Sequence, residues 1–164
     1  MNHEESKLQQ QCVAWFRAQY PQYAMLLIHP INEGSGHTTT DRRRQGIHKA
    51  EGAVAGVPDL ILFIPSLFSK GMMSGLPCHG LGIEMKTDKG RQSQQQKDFQ
   101  KMFEAALYQY KVVRSLDDFR NVIKDYIGSM TTYMEARIAE VRSEITKAAE
   151  QREKEKFYKI IGKK

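Results

Sequence analysis

The run Val57 to Ile64, VPDLILFI, is apolar at nearly every position, and no other stretch constrains the fold as strongly. A strand that is apolar on both faces must be covered on both faces, so this run reads as a buried central strand. Pro58 fits only at its start, because proline donates no hydrogen bond to a ladder. Leu81 to Lys86 (LGIEMK) alternates instead: Leu81, Ile83 and Met85 point one way, Gly82, Glu84 and Lys86 the other. Ala24 to His29 (AMLLIH) has strand length, and Tyr108 to Arg114 (YQYKVVR) is β-prone.

Helical periodicity fills the gaps. In residues 5–19, Leu8, Cys12, Trp15 and Phe16 make one apolar stripe, ended by Tyr20-Pro21. Residues 93–107 place Phe99, Met102, Phe103, Ala106 and Leu107 on one face, with Ser93 and Gln96 spaced as a capping box. Ser115 caps a further helix with Phe119, Val122, Ile123, Tyr126 and Ile127 on its apolar side. Residues 30–50 and 65–80 are polar or rich in Ser, Gly and Pro, and read as long loops. The order is α-β-β-β-α-β-α, an α/β domain over residues 1–128 in which a mixed sheet is flanked by helices. Residues 129–164 form a separate C-terminal amphipathic helix. There Met134, Ile138, Val141, Ile145 and Ala148 recur at 4-3-4-3 spacing, which suits oligomerisation or packing.

Composition narrows the class. Hydrophobic residues at 40% and charged residues at 27% exclude a mainly disordered chain. No apolar stretch is long enough to span a membrane. The polar N-terminus MNHEESKLQQQ lacks the basic-then-apolar pattern of a secretory signal, so a cytoplasmic protein is expected. Cys12 and Cys78 are far apart and read as reduced thiols, not as a disulfide or zinc framework. A net charge of +6 favours an acidic partner. The sharpest basic cluster is Arg42, Arg43, Arg44, His48 and Lys49.

Three features point to one site: Pro58-Asp59 at the start of the buried strand, Glu84-Met85-Lys86 in the alternating strand, and Glu5 on the first helix. Glu84 and Lys86 leave the same face of their strand. A carboxylate and an ammonium near buried strands need partners. A divalent metal would supply one, and Asp59 on a neighbouring strand would add a second carboxylate to it. Oxygen ligands are what Mg²⁺ prefers. Lys86 would orient or help deprotonate an attacking water and favour an anionic transition state. Glu5 shares a helical face with Leu8 and Cys12, and Glu4 is rotated away. Plainer readings stand beside these: a first-turn carboxylate for Glu5, a turn residue for Asp59, an edge-strand ion pair for Glu84 and Lys86. Lys89-Gly90-Arg91-Gln92-Ser93 leads into a helix N-terminus and suits a phosphate. Gln96 either reaches the site or serves only as the capping partner of Ser93. Arg114 either lies near the site or is a surface arginine.

On the helix with Glu5, Gly56-Val57-Pro58-Asp59-Leu60, Glu84-Met85-Lys86-Thr87, Gly90-Arg91-Gln92-Ser93 with Gln96, and Val112-Val113-Arg114-Ser115, the chain resembles a VRR-NUC domain protein, a branch of the PD-(D/E)xK nuclease superfamily. The blocks span residues 5–128 in the family's order. The resemblance implies a restriction-endonuclease-like fold and a Mg²⁺- or Mn²⁺-dependent DNA endonuclease, of a kind found stand-alone in bacteriophages and mobile elements. It implies Glu5, Asp59 and Glu84 as metal ligands, with Asp59, Glu84, Lys86 and Gln96 as the catalytic set. Some members act on branched DNA as dimers, so DNA and a second copy of the chain are the expected partners, with no membrane and no small-molecule cofactor. The 25-residue separation of Asp59 and Glu84 and the C-terminal helix stand outside the core pattern. Expected DNA contacts are Asn32, Arg42, Arg43, Arg44, Lys49, Lys89, Arg91 and Arg114. No helix-turn-helix or zinc finger marks a base-reading element, so branched or junction DNA fits better than a specific sequence. The rival is a catalytically inactive DNA-binding or dimerising accessory protein with a nuclease fold.

Overall fold

The structure is a computed structural model, and it describes residues 3–30, 50–68, 75–130 and 132–161. It divides into two compact units, Met1–Ser129 and Met130–Lys164. Among the described residues no helix is long and apolar enough to cross a membrane.

The first unit is a mixed sheet with helices packed on it. Helix α1 (His3–Gln19) leads through a 3₁₀ segment (Pro21–Leu26) into strand β1 (Leu27–Ile28). Strand β2 (Leu60–Leu62) is followed by the short strands β3 (Ser66–Leu67) and β4 (Pro77–Cys78), then by β5 (Leu81–Met85). Helix α2 (Gln94–Ala105), strand β6 (Gln109–Val113) and helix α3 (Leu116–Ile127) complete it. The sheet order is β1-β2-β5-β6, while β3 and β4 form a two-stranded sheet of their own. β1–β2 and β2–β5 pair antiparallel, whereas β5–β6 pair parallel with α2 as the crossover. A parallel pair needs such a crossover, which is why the best-patterned helix lies between these two strands.

The central position of β2 and β5 follows from their composition. Leu60, Ile61 and Leu62 are all buried, as are all five residues of β5. Helices α1 and α3 pack on one another and on the sheet, joining Cys12, Phe16, Phe119 and Ile123 to Leu81, Ile83 and Met85 in the core. Helix α2 covers the face from which Gly82 and Glu84 project. A Cβ on Gly82 would lie 2.9 Å from the Phe103 ring and 3.0 Å from Pro58, so the bare glycine lets helix and strand meet.

Local readings required correction in four places. Only Leu27 and Ile28 of the 24–29 run are extended. Pro21 stands at the start of a helical turn, where its fixed φ is favourable, and the residues before Leu27 wind as 3₁₀. The 57–64 run is a strand only over Leu60–Leu62. The 65–80 segment contains β3 and β4, held down from α3: Ser66 Oγ donates to Tyr126 O at 2.8 Å, and Tyr126 OH donates to Ile64 O at 2.6 Å. Helix α2 meets the sheet through Phe103, against which Phe99 packs, whereas Met102 is 74% exposed and the helix ends at Ala105. The caps are as the spacing predicts. Ser93 Oγ accepts from Gln96 N and Gln96 Oε1 accepts from Ser93 N, while Ser115 Oγ accepts from Asp118 N.

The second unit is helix α4 (Thr132–Ile161), a run of 30 residues with no buried side chain among those described.

Candidate active site

The antiparallel register of β2 and β5 pairs Leu60 with Ile83, so one step further Asp59 stands opposite Glu84. Strand β2 ends there because the Asp59 side chain replaces the ladder: its Oδ2 accepts from Met85 N at 2.8 Å. The Asp59 carbonyl is held from two other elements. Gln9 Nε2 on α1 donates to it at 3.5 Å, and His29 Nδ1, after β1, lies 2.7 Å away. A carbonyl can only accept, so Nδ1 carries the proton and His29 acts as a clamp.

Glu84 is 1% exposed. Its Oε1 accepts from Lys86 Nζ at 2.6 Å and from Gln96 Nε2, and its Oε2 accepts from Tyr110 OH at 3.1 Å. Gln96 thus does both things expected of it: the carbonyl end closes the capping box while the amide end reaches the carboxylate. The edge-strand reading of Glu84 and Lys86 is excluded, because β5 lies inside the sheet and Lys86 is 9% exposed.

Burial is the largest influence on both carboxyls. It raises Glu84, offset in part by the Lys86 hydrogen bond and raised further by Asp59. It raises Asp59, offset by the Met85 amide and by Lys86, and raised further by Glu5. Tyr110 is pushed up by burial and by Glu84, so it stays a hydrogen-bond donor at neutral pH. These mutual effects place Asp59, Glu84, Lys86 and Glu5 in one electrostatic neighbourhood.

Glu5 lies at its rim. Its Oε1 accepts from Thr87 N at 3.4 Å, and with Glu4, Leu8, Lys86, Thr87 and Arg114 it lines a cleft of about 220 Å³. Among the described residues no three His, Cys, Asp or Glu side chains gather closely enough to hold a metal ion. The donor chemistry nonetheless fits a hard divalent cation at two carboxylates. Glu84 is buried and Asp59 half-buried, and they stand opposite one another. Each is raised by burial and by a neighbouring carboxylate, Asp59 acting on Glu84 and Glu5 on Asp59, a repulsion that a cation would relieve.

Arg114 does not stand as a free basic residue. Its guanidinium donates to Thr87 O, to Asp88 O at 3.2 Å and to Gly90 O at 2.9 Å, strapping the turn that follows β5. Lys89 within that turn and Arg91 just after it are exposed. Asn32, Arg42, Arg43, Arg44 and Lys49 lie outside the described residues.

Sequence reasoning missed Tyr110 and Gln9, and it placed His29 only at the end of the 24–29 run. Gln9 carried a signal, one turn beyond Glu5 on the inward face of α1. Tyr110 carried none, because its reach to Glu84 depends on the parallel register that pairs it with Gly82.

No family model matches the chain, and no curated protein matches it in sequence. A solved structure described as a VRR_NUC domain protein is similar to it, with a TM-score of 0.61 and 22% identity over 79% of this chain and 93% of that one. The chain therefore has the fold of a VRR_NUC domain protein.

Proposed function

We propose that the protein is a metal-dependent DNA endonuclease that hydrolyses phosphodiester bonds, acting on branched or junction DNA in preference to a specific sequence. The observation that carries the reading is the buried Glu84–Lys86 pair at 2.6 Å, with Asp59 opposite Glu84 in the register of β2 and β5. A buried ion pair contributes little to stability compared with apolar residues in its place, so its presence inside a sheet calls for a chemical role. The VRR_NUC likeness of the fold supports the same reading.

Asp59 and Glu84 would hold Mg²⁺ or Mn²⁺, with Glu5 at the adjoining cleft. When bound, the ion would polarise the phosphoryl group and lower the pKa of a coordinated water. Lys86 supplies a fixed positive charge beside the carboxylates, suited to orienting the attacking water and favouring the dianionic transition state. Gln96 and Tyr110 hold the two oxygens of Glu84 from opposite sides and set its rotamer. Arg114 acts through the 87–90 turn as a positioning residue, and Lys89 and Arg91 present charge to the DNA backbone.

One observation favours a second reading, an inactive DNA-binding protein with this fold. Both oxygens of Glu84 are already occupied by side-chain donors, and the three carboxylates do not converge. A cleavage assay separates the two. Purified wild type and Lys86→Ala are given duplex, single-stranded, flap and four-way-junction DNA with Mg²⁺, Mn²⁺ or EDTA. Metal-dependent cutting, lost in the variant, is expected. DNA binding without cutting of any substrate would support the inactive reading.

A further inference from the structure

The apolar stripe of α4 comes with a charge pattern that selects one partner and one direction. The 4-3-4-3 spacing makes Ile138 and Ile145 the a positions of a heptad, and Met134, Val141 and Ala148 the d positions. Met134, Ile138 and Val141 are half-buried and Ile145 is 51% exposed, so the seam has apolar surface left to cover. The flanking e positions are then Glu135 and Arg142, and the flanking g positions Arg137 and Glu144.

These four charges discriminate among the ways two copies can pair. A parallel pair brings each g residue against the next e residue of the other helix, setting Arg137 against Arg142 twice. An antiparallel pair brings e against e and g against g. When Ile138 stacks on Val141 of the other copy, and Met134 on Ile145, Glu135 faces Arg142 and Arg137 faces Glu144. Each pair occurs twice by symmetry. Sliding by one heptad in one direction opposes Arg142 to Arg142 and Glu144 to Glu144. Sliding in the other opposes Glu135 to Glu135 and Arg137 to Arg137. Only one register gives four apolar layers with attraction on both flanks. Arg137 also pairs with Glu140 of its own helix at 2.5 Å, but both are well exposed, and such a pair competes weakly.

We infer that α4 pairs with α4 of a second copy as an antiparallel two-helix coil centred between Ile138 and Val141. The inference does not depend on the nuclease reading, and its test needs no DNA.

Full-length Met134→Cys and Ile145→Cys proteins are oxidised separately and as a mixture, with the wild type as control for the buried Cys12 and Cys78. The mixture is expected to give a covalent dimer, because positions 134 and 145 of different copies meet. Each variant alone is expected to give none, since identical positions then lie about 16 Å apart along the axis. A dimer from Met134→Cys alone would mean a parallel pair, and no covalent dimer from any sample would mean no such pair; either overturns the inference. Light scattering of Arg137→Glu supplies a second readout. The antiparallel pair predicts a dimer weakened roughly tenfold, restored by adding Glu144→Arg. A parallel pair would instead be tightened by Arg137→Glu, and an unchanged mass would also count against the inference.

Discussion

Asp59 Oδ2 accepts a hydrogen bond from the main-chain N–H of Met85 at 2.8 Å, so one carboxylate both ends a strand and aligns the strand that carries Glu84 and Lys86. This relationship makes Asp59→Asn informative. An asparagine keeps a carbonyl oxygen for Met85 N and removes the charge that raises Glu84. The metal-free variant is expected to melt at a higher temperature than the wild type at pH 7, while any metal-dependent cleavage is lost. A lower melting temperature would mean that the carboxylate is stabilising as a charge, contrary to the balance of burial and repulsion around it.

The same two carboxyls fix the sign of the pH response. Both are raised above their ordinary values of 3.8 and 4.5, so the folded chain binds their protons more tightly than the unfolded chain does. Their contribution to metal-free stability is fully present below those ordinary values. It is lost as pH rises through them to the raised ones. Denaturant midpoints with EDTA should therefore fall from the acid side toward neutrality more steeply in the wild type than in Asp59→Asn. Adding Mg²⁺ at neutral pH should restore part of the loss if the carboxylates take a cation.

How far the site was legible depends on what kind of contact each residue makes. Asp59, Glu84 and Lys86 stand out because polar residues interrupt apolar strands, and Gln96 because a capping box has fixed spacing. Their mutual distances were not legible, since the step that sets Asp59 opposite Glu84 is a register between segments 25 residues apart. Tyr110 was hidden for the same reason. The role of Arg114 was hidden because its partners are main-chain carbonyls, which leave no trace in side-chain pattern. The strands β3 and β4 are two residues each, too short for alternation to show, and they are held by Tyr126 from a distant helix.

Cys12 offers a test of the core around α1. It is fully buried, and burial pushes its thiol up to about 12. The folded protein should leave Cys12 unmodified by iodoacetamide at pH 8, whereas the urea-unfolded chain should react at once, because only the thiolate attacks. This group adds nothing to the pH dependence of stability below its ordinary value of 9.0. Above that value the unfolded chain ionises and the folded chain does not. Stability should then fall by up to about 1.4 kcal/mol per pH unit until the raised value is reached. Cys12→Ala should flatten that part of the curve, though it lowers the starting stability by leaving a small cavity.

Gly56 is a purely steric prediction. Its φ is +89°, and a Cβ there would lie 2.4 Å from Gln95 O and 2.9 Å from Gln96 N, main-chain atoms at the start of α2. Gly56→Ala should destabilise the fold by about 1–3 kcal/mol, read as a lower urea midpoint with unchanged slope. Because the clash falls on the turn of helix that carries Gln96, it should also disturb the hold on Glu84, so cleavage should fall in assays where the variant is still fully folded. An alanine variant as stable and as active as the wild type would show that the segment before Asp59 does not press on α2.

Arg114 reaches three carbonyls of the turn after β5 through one guanidinium nitrogen, Nη1, at the end of a side chain one atom longer than lysine's, so a lysine ammonium would fall short of them. Arg114→Lys and Arg114→Ala are therefore expected to behave alike, each losing about 1 kcal/mol of stability and exposing the amide of Gly90 to hydrogen exchange. The Gly90 amide donates to Thr87 O at 3.0 Å, so its protection reports the turn directly. If Arg114 served chiefly as a phosphate contact, lysine would preserve DNA affinity and leave Gly90 protected. A positioning role predicts the reverse: binding of DNA changed little, turnover reduced in both variants, and the loss tracking the exchange rate at Gly90.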